Sequence, residues 1–188
     1  NVKSILAGLG IGTAIIGLAF QDLAKDIIAG FFIITEGEYE IGDTIEIDGF
    51  MGEVTFIGLR TTRIRNFKGA TKIIANRYMD DIINYSLHDS LAIVDVSIDY
   101  SQKSERVEKV LKELAESLNG TIADTTVYIE ILGINSLGDS SIVYRVTVPT
   151  KPMAHFGVQR ILRKEIKEAL DDAKVKIPFP QIEVHHGK

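Results

Sequence analysis

Residues 4–21, SILAGLGIGTAIIGLAFQ, contain no charged side chain. As an α-helix rising about 1.5 Å per residue, such a run reaches roughly 27 Å, close to the ~30 Å hydrocarbon core of a bilayer. Its small residues are ordered. Ala7, Gly10, Ala14, Gly17, Gln21 and Ala24 follow spacings of three and four and so form one stripe on a helix. A stripe of small residues lets helix backbones approach closely in lipid, where water cannot drive their association. One helix encloses nothing, whereas several packed by that stripe enclose a pore. The first expectation is an oligomer of a membrane-spanning helix that carries a soluble body. A signal-peptide core fits less well, because Lys3 is a thin basic region and the run continues into helix-like sequence. A buried helix of a soluble protein would be unusually long and uniformly apolar. A plain anchor has no need of the stripe.

The 167 residues after Gln21 hold one or two small domains. Acidic residues outnumber basic ones by 26 to 21, which argues against nucleic acid as the main partner. No cysteine is present, so disulfide frameworks, cysteine-ligated zinc and thiol catalysis drop out together. The sequence begins at Asn1, directly at the apolar run, and reads as a fragment or the ordered part of a longer protein.

After Gln21 the charged positions Asp22, Lys25 and Asp26 share one side of a helix with the small Ala29, and Leu23, Ile27, Phe31 and Ile34 share the other. This is an amphipathic segment suited to a membrane boundary or to packing on a neighbour. Charge at the bilayer centre is costly, so a bend is expected at Gln21–Asp22, with Gly30 as a second weak point. Residues 36–90 read as short strands without helix: 44–47, 53–65, 71–75 and 82–85, punctuated by Gly42-Asp43, Asp48-Gly49 and Asn66-Phe67-Lys68-Gly69. A small, strongly bent sheet or barrel follows. Residues 91–177 change character. A strand at 91–100, a helix at 105–118 capped by Ser104, strands at 126–134 and 141–148, and a helix at 153–173 give the order β-α-β-β-α of a ferredoxin-like sandwich. Val107, Val110, Leu111, Leu114 and Leu118 should face inward from the first helix, and Phe156, Ile161, Leu162, Ile166 and Leu170 from the second. Residues 178–188 open with prolines that stop the helix, and 181–186 are placed as a final strand.

No enzyme or cofactor signature stands. Gly8-x-Gly10-x-Gly12 lies inside the apolar helix and not after a strand, so it is no nucleotide loop. Ser86, His88 and Asp89 lack a nucleophile elbow. His185 and His186 are adjacent and point to opposite faces of a strand, so they cannot chelate one ion; no metal site is expected. Arg60, Arg63, Arg65 and Lys68, with Phe67 among them, are read as salt-bridging surface, with RNA or anion binding as the sharper alternative. Glu36, Glu38 and Glu40 read as a solvated edge, with ion filtering beneath the membrane as the sharper alternative.

Together, GLAFQD at 17–22 followed by IIAGFFI, EIGDTIEIDGFMGEV at 40–54, IGLRTTRIRNFKG at 57–69, IIANRYMDDIINYS at 73–86 and IPFPQIEV at 177–184 resemble the MscS family, the small-conductance mechanosensitive channels. The resemblance covers nearly the whole chain. It implies a pore helix over 1–35, an Sm-like β domain over 36–90 and a ferredoxin-like α/β domain over 91–177. It also implies a homoheptamer in a bacterial or archaeal cell membrane. Upstream spans would sense tension, the C-terminal body would be cytoplasmic, and small solutes and ions would be released on hypo-osmotic shock. Carried over residue by residue, Leu18 and Ala14 take the sealing positions, with Ile11 or Ile15 adding to the constriction. Ala7, Gly10 and Gly17 are the helix-packing positions, and Phe20 couples the helix to the tension-sensing spans. The family often has glycine where this chain has Asp22, and usually a large apolar residue where it has Ala14. Two other readings remain beside this one: a membrane-anchored Sm-like oligomer that serves as a scaffold or as an RNA-binding module, and a ligand-gated channel of the same architecture.

Overall fold

A computed structural model of the chain describes residues 2–182 and 184, with side chains from position 9 onward. It divides into two units, Asn1–Ser86 and Leu87–Lys188. The first opens with α1, Val2–Glu36, a single helix whose assignment runs unbroken through Asp22 and Gly30. Five antiparallel strands follow: β1 Thr44–Ile47, β2 Phe50–Ile57, β3 Thr61–Arg65, β4 Thr71–Ala75 and β5 Ile83–Asn84, in sheet order β4-β3-β2-β1-β5. The β1–β2 hairpin turns on Asp48-Gly49 with both φ angles positive (50° and 71°). That is the two-residue geometry that matches strand twist and that Asp-Gly suits. The expected single strand over 53–65 is two strands. Gly58 N–H donates to Thr61 O at 3.0 Å and reverses the chain, while the alternation of side chains continues through the turn and hides it. The expectation of no helix here also needs correction, because Asn76–Tyr78 forms one 3₁₀ turn.

Alternation along these strands buries Ile45, Ile47, Val54, Ile64 and Ile74, and Ile33 of α1, Tyr39 and Met79 close the core. Ile33 therefore belongs to the β core, although it is helical.

The second unit runs β6 Ser90–Ile98, α2 Ser104–Leu118, β7 Glu130–Leu137, β8 Ile142–Thr150 and α3 His155–Asp172. Its sheet is antiparallel in the order β6-β8-β7. One sheet face buries Ala92, Val94, Val96, Ile98, Tyr144 and Val146 against Val107, Leu111 and Ala115 of α2 and Val158, Leu162, Ile166 and Leu170 of α3. Val110, Leu114 and Leu118 are half-buried at its rim. This is the expected β-α-β-β-α order. Four details differ. Phe156 and Ile161 are exposed, because the strict four-residue row starting at Val158 takes the core side. Lys103, not Ser104, occupies the cap position of α2, with no side-chain hydrogen bond. β7 starts at Glu130, four residues after the expected Thr126; before it, a Thr125–Thr150 bridge and a Thr126 N–H bond to Pro149 O join the chain to β8. Residues 178–182 form no strand; Asp99 N–H bonds Lys176 O at 3.0 Å, and Gln181 N–H bonds Ser140 Oγ at 3.2 Å. Residues 183 and 185–188, which carry the rest of the expected final strand and the His185-His186 pair, lie outside the described residues.

Candidate functional site

The upper half of α1 exposes apolar side chains on every side: Leu9, Ile11, Ile15, Ile16, Leu18 and Phe20, with Leu18 at 71%. Helices apolar all round are buried in a core or in lipid. The polar exception, Thr13, donates its hydroxyl to Leu9 O at 2.8 Å and so needs no outside partner. A methyl group added at Gly10, Gly12 or Gly17 would meet nothing within 4 Å. Nothing in this chain alone requires those residues to be small. Around the helix Ala14 lies about 20° from Gln21, about 40° from both Gly10 and Leu18 and about 60° from Gly17, so it sits between the small-residue stripe and Leu18. The side chain of Ala7 lies outside the described residues. Among the described residues no helix is long and apolar enough to cross a membrane. The described apolar run ends at Asp22, followed by Lys25 and Asp26.

The lower half of α1 has the two faces expected of it, and the apolar one is not the face that meets protein. Asp26 (2% exposed), Gly30 and Ile33 face the β sheet, while Leu23, Ile27, Ile28, Phe31, Phe32 and Ile34 are exposed. The polar side turns inward because a polar seat is waiting there. Arg77 Nη1 lies 3.3 Å from Asp22 Oδ2 and 3.7 Å from Asp26 Oδ2, and Arg77 N–H donates to Asp26 Oδ1 at 3.4 Å. One guanidinium thus holds two carboxylates one helical turn apart. Asp22, placed in the sequence at the expected bend, pairs with Arg77 and, at 4.0 Å, with Lys25.

Beneath this clamp runs a buried polar chain. Tyr39 Oη and Thr62 Oγ1 are 3.1 Å apart, Thr62 Oγ1 donates to Asn76 Oδ1 at 3.0 Å, and Asn76 Nδ2 donates to Gly58 O at 2.8 Å. Asn76 N–H bonds Arg60 O at 2.9 Å. Burial raises the Tyr39 hydroxyl above its ordinary pKa, so it stays a protonated donor. Gly30 fits into this frame only because it lacks a side chain. A Cβ there would stand 2.4 Å from Asn76 Nδ2 and 2.5 Å from Leu59 O. Gly30, weighed above as a bend, is thus the point of closest approach between α1 and the β domain.

The other residues marked in the sequence are scattered. Of the basic group, Arg65 alone pairs with a carboxylate among the described residues, Glu53 at 3.8 Å. Arg63 lies over Phe56 and Lys68 over Phe67. Ser86 Oγ accepts Thr44 N–H and so fixes β1. Among the described residues no three His, Asp or Glu side chains group to hold a metal. The sequence reading missed Asn76, Arg77, Thr62 and Tyr39. A charge at Asp26, amid apolar residues, was the available signal that a cation had to meet it.

Two family descriptions match this architecture. "Mechanosensitive ion channel, beta-domain" covers residues 22–87, and "Mechanosensitive ion channel MscS, C-terminal" covers residues 92–177. The chain belongs to the MscS family. A small-conductance mechanosensitive channel of Caldanaerobacter subterraneus subsp. tengcongensis is 33% identical over 98% of the chain and 65% of its own length. The small-conductance mechanosensitive channel MscMJ of Methanocaldococcus jannaschii is 27% identical over 100% of the chain and 55% of its own length. The chain thus spans about two thirds or less of the curated relatives it matches. The closed-state crystal structure of Helicobacter pylori MscS superposes with a TM-score of 0.83 at 26% identity, over the whole chain and 75% of that protein. At 17% identity, Arabidopsis thaliana MSL1 shares the fold with a TM-score of 0.71, over 95% of the chain and 67% of that protein. MscS relatives are named as channels and not as enzymes. The first match begins at Asp22, where α1 turns from bare apolar surface to seated helix.

Proposed function

We propose that this chain is the pore-forming and vestibular part of a tension-gated channel that releases ions and small solutes on hypo-osmotic shock. Residues 4–21 cross the membrane as one stave of a homoheptamer, and the body after Asp22 lies on the cytoplasmic side. Ala7, Gly10 and Gly17 form the face on which neighbouring staves pack. Leu18 lines the narrowest ring, with Ala14 and Ile11 flanking it. A ring of leucine in a narrow neck excludes ions by dewetting, since an ion cannot keep its hydration shell there. Tension favours the state with the larger membrane area, as a ligand favours the state it binds better. Phe20 connects the stave to upstream spans. Gln21 and Asp22 give the helix its bend when the pore changes state, while Gly30 keeps the lower half docked through the change.

One observation carries this reading: the uncharged stretch of residues 9–21, exposed all round, ends at Asp22, where one side of the same helix becomes pinned to the β domain by Arg77. A helix free above and clamped below passes a tilt of its upper half to the body. The test is patch recording from liposomes holding the full-length protein. Leu18→Ser should open at lower suction and leak at rest, because a hydroxyl ring stays wet. An unchanged threshold with a tight closed state would remove Leu18 from the gate.

A further inference from the structure

The seat of α1 stands on two adjacent turns, residues 58–60 and Asn76–Tyr78, joined by the bonds from Asn76 to Gly58 O and Arg60 O. Besides holding the helix, these turns carry three large exposed side chains: Leu59, Arg60 and Tyr78. Arg60 makes no ion pair among the described residues. Nor does Arg63 in the middle of β3, whose guanidinium lies 4.9 Å from the Phe56 ring centre. The chain as a whole has a net charge of -5, so an unpaired basic and apolar cluster at this spot is opposite in sign to the molecule. The nearest carboxylates along the chain, Asp80 and Asp81, lead towards β5 at the other edge of the sheet.

The position along α1 sets the occupant. Leu59 touches the helix at Gly30, and Arg77, beside Tyr78, reaches Asp22 at the foot of the bare apolar run. Leu23, Ile27, Phe31 and Ile34 stay exposed over the same helical length, so apolar surface continues past the level of both turns. Leucine next to arginine at a turn, with tyrosine beside it, suits the boundary between acyl chains and headgroups. Tyrosine places its ring in the apolar layer and its hydroxyl in the wet one, and arginine lays its stem on apolar surface with the guanidinium at phosphate depth. We infer that Leu59, Arg60 and Tyr78, together with Arg63, form a contact for anionic phospholipid headgroups. This contact rests on the membrane reading of α1.

The experiment uses the full-length protein in vesicles, with single cysteines carrying a polarity-sensitive NBD dye; this segment contributes no cysteine of its own. Any cysteine elsewhere is replaced by serine. The dye at Leu59→Cys should be quenched by headgroup nitroxide lipids, and more strongly in phosphatidylglycerol vesicles than in phosphatidylcholine ones. A basic side chain near an anionic leaflet favours partitioning about fivefold, so Arg60→Gln and Arg63→Gln should each reduce that anionic preference by about that factor. Absence of quenching, equal quenching in both vesicles, or a blue-shifted dye that lipid nitroxides do not reach would each overturn the contact; the last would place a second copy there. A dye at Ile16→Cys separates the two claims. Blue emission there with no quenching at Leu59 sinks only the headgroup contact. Water-like emission at Ile16 sinks the membrane reading beneath it.

Discussion

Asp26 is the most consequential single residue outside the apolar run, because it is a buried carboxylate whose charge is met by one side chain, Arg77. Removing one partner of a buried pair leaves an uncompensated charge and costs about 3–5 kcal/mol, whereas replacing both is far milder. Arg77→Met should therefore lower the stability of the β domain steeply. Asp26→Leu combined with Arg77→Met should lose less than Arg77→Met alone, as read by urea unfolding of the detergent-solubilised protein. Asp99 offers a pH test in the other unit. The Ser101 backbone N–H, then the Lys176 ammonium at 2.9 Å, hold its carboxyl down at about 2, against an ordinary 3.8. A carboxyl depressed in the folded state stabilises fully above its unfolded value and loses that contribution as pH falls through the folded one. The stability gap between the native protein and Asp99→Asn should stay constant above about pH 4 and shrink between there and about pH 2. The sequence shows such residues unevenly. Ile45, Val54 and Ile64 are legible because alternation is local. Asp26 was not, because its partner is 51 positions away and no local pattern announces it.

At the scale of elements, α1 carries two different surfaces on one continuous helix. That the upper half is helical was legible from its unbroken uncharged length. The orientation of the lower half was not legible: periodicity finds two faces but does not say which one meets protein. A polar face can turn inward when the opposing element supplies an arginine and an asparagine. The 53–65 stretch failed similarly, because alternation of period two survives a tight turn. The seating of α1 makes its own prediction at Gly30. Alanine raises intrinsic helix stability by about 1 kcal/mol relative to glycine. The added methyl, however, would press on Leu59 O and on an Asn76 amide already bonded to Gly58 O. Overpacking of this kind costs about 1–3 kcal/mol. Gly30→Ala should therefore destabilise on balance, with faster hydrogen exchange at Asn76 N–H. A gain in stability would mean that Gly30 serves the helix as a flexible joint and not as a contact point.

At the scale of the molecule, two hydrophobic cores are built from separate stretches of chain, one closed by Ile33, Tyr39 and Met79, the other by α2 and α3 on their sheet. Each has its own sheet, and no strand of one pairs with a strand of the other among the described residues. Cooperative unfolding follows shared packing, so two cores imply two transitions in a calorimetric scan of the solubilised full-length protein. Leu162→Ala tests the assignment. Leu162 is fully buried between α3 and the sheet of the second unit, and truncating a buried leucine costs about 2–5 kcal/mol. It should lower one transition and leave the other in place, while Gly30→Ala should do the reverse. The double variant should then sum the two losses within about 0.5 kcal/mol, as distant sites without shared partners do. If either substitution moved both transitions together, the helix seat and the α/β core would be melting as one body. The clamp at Arg77 would then report on the stability of the whole assembly and not on the β domain alone.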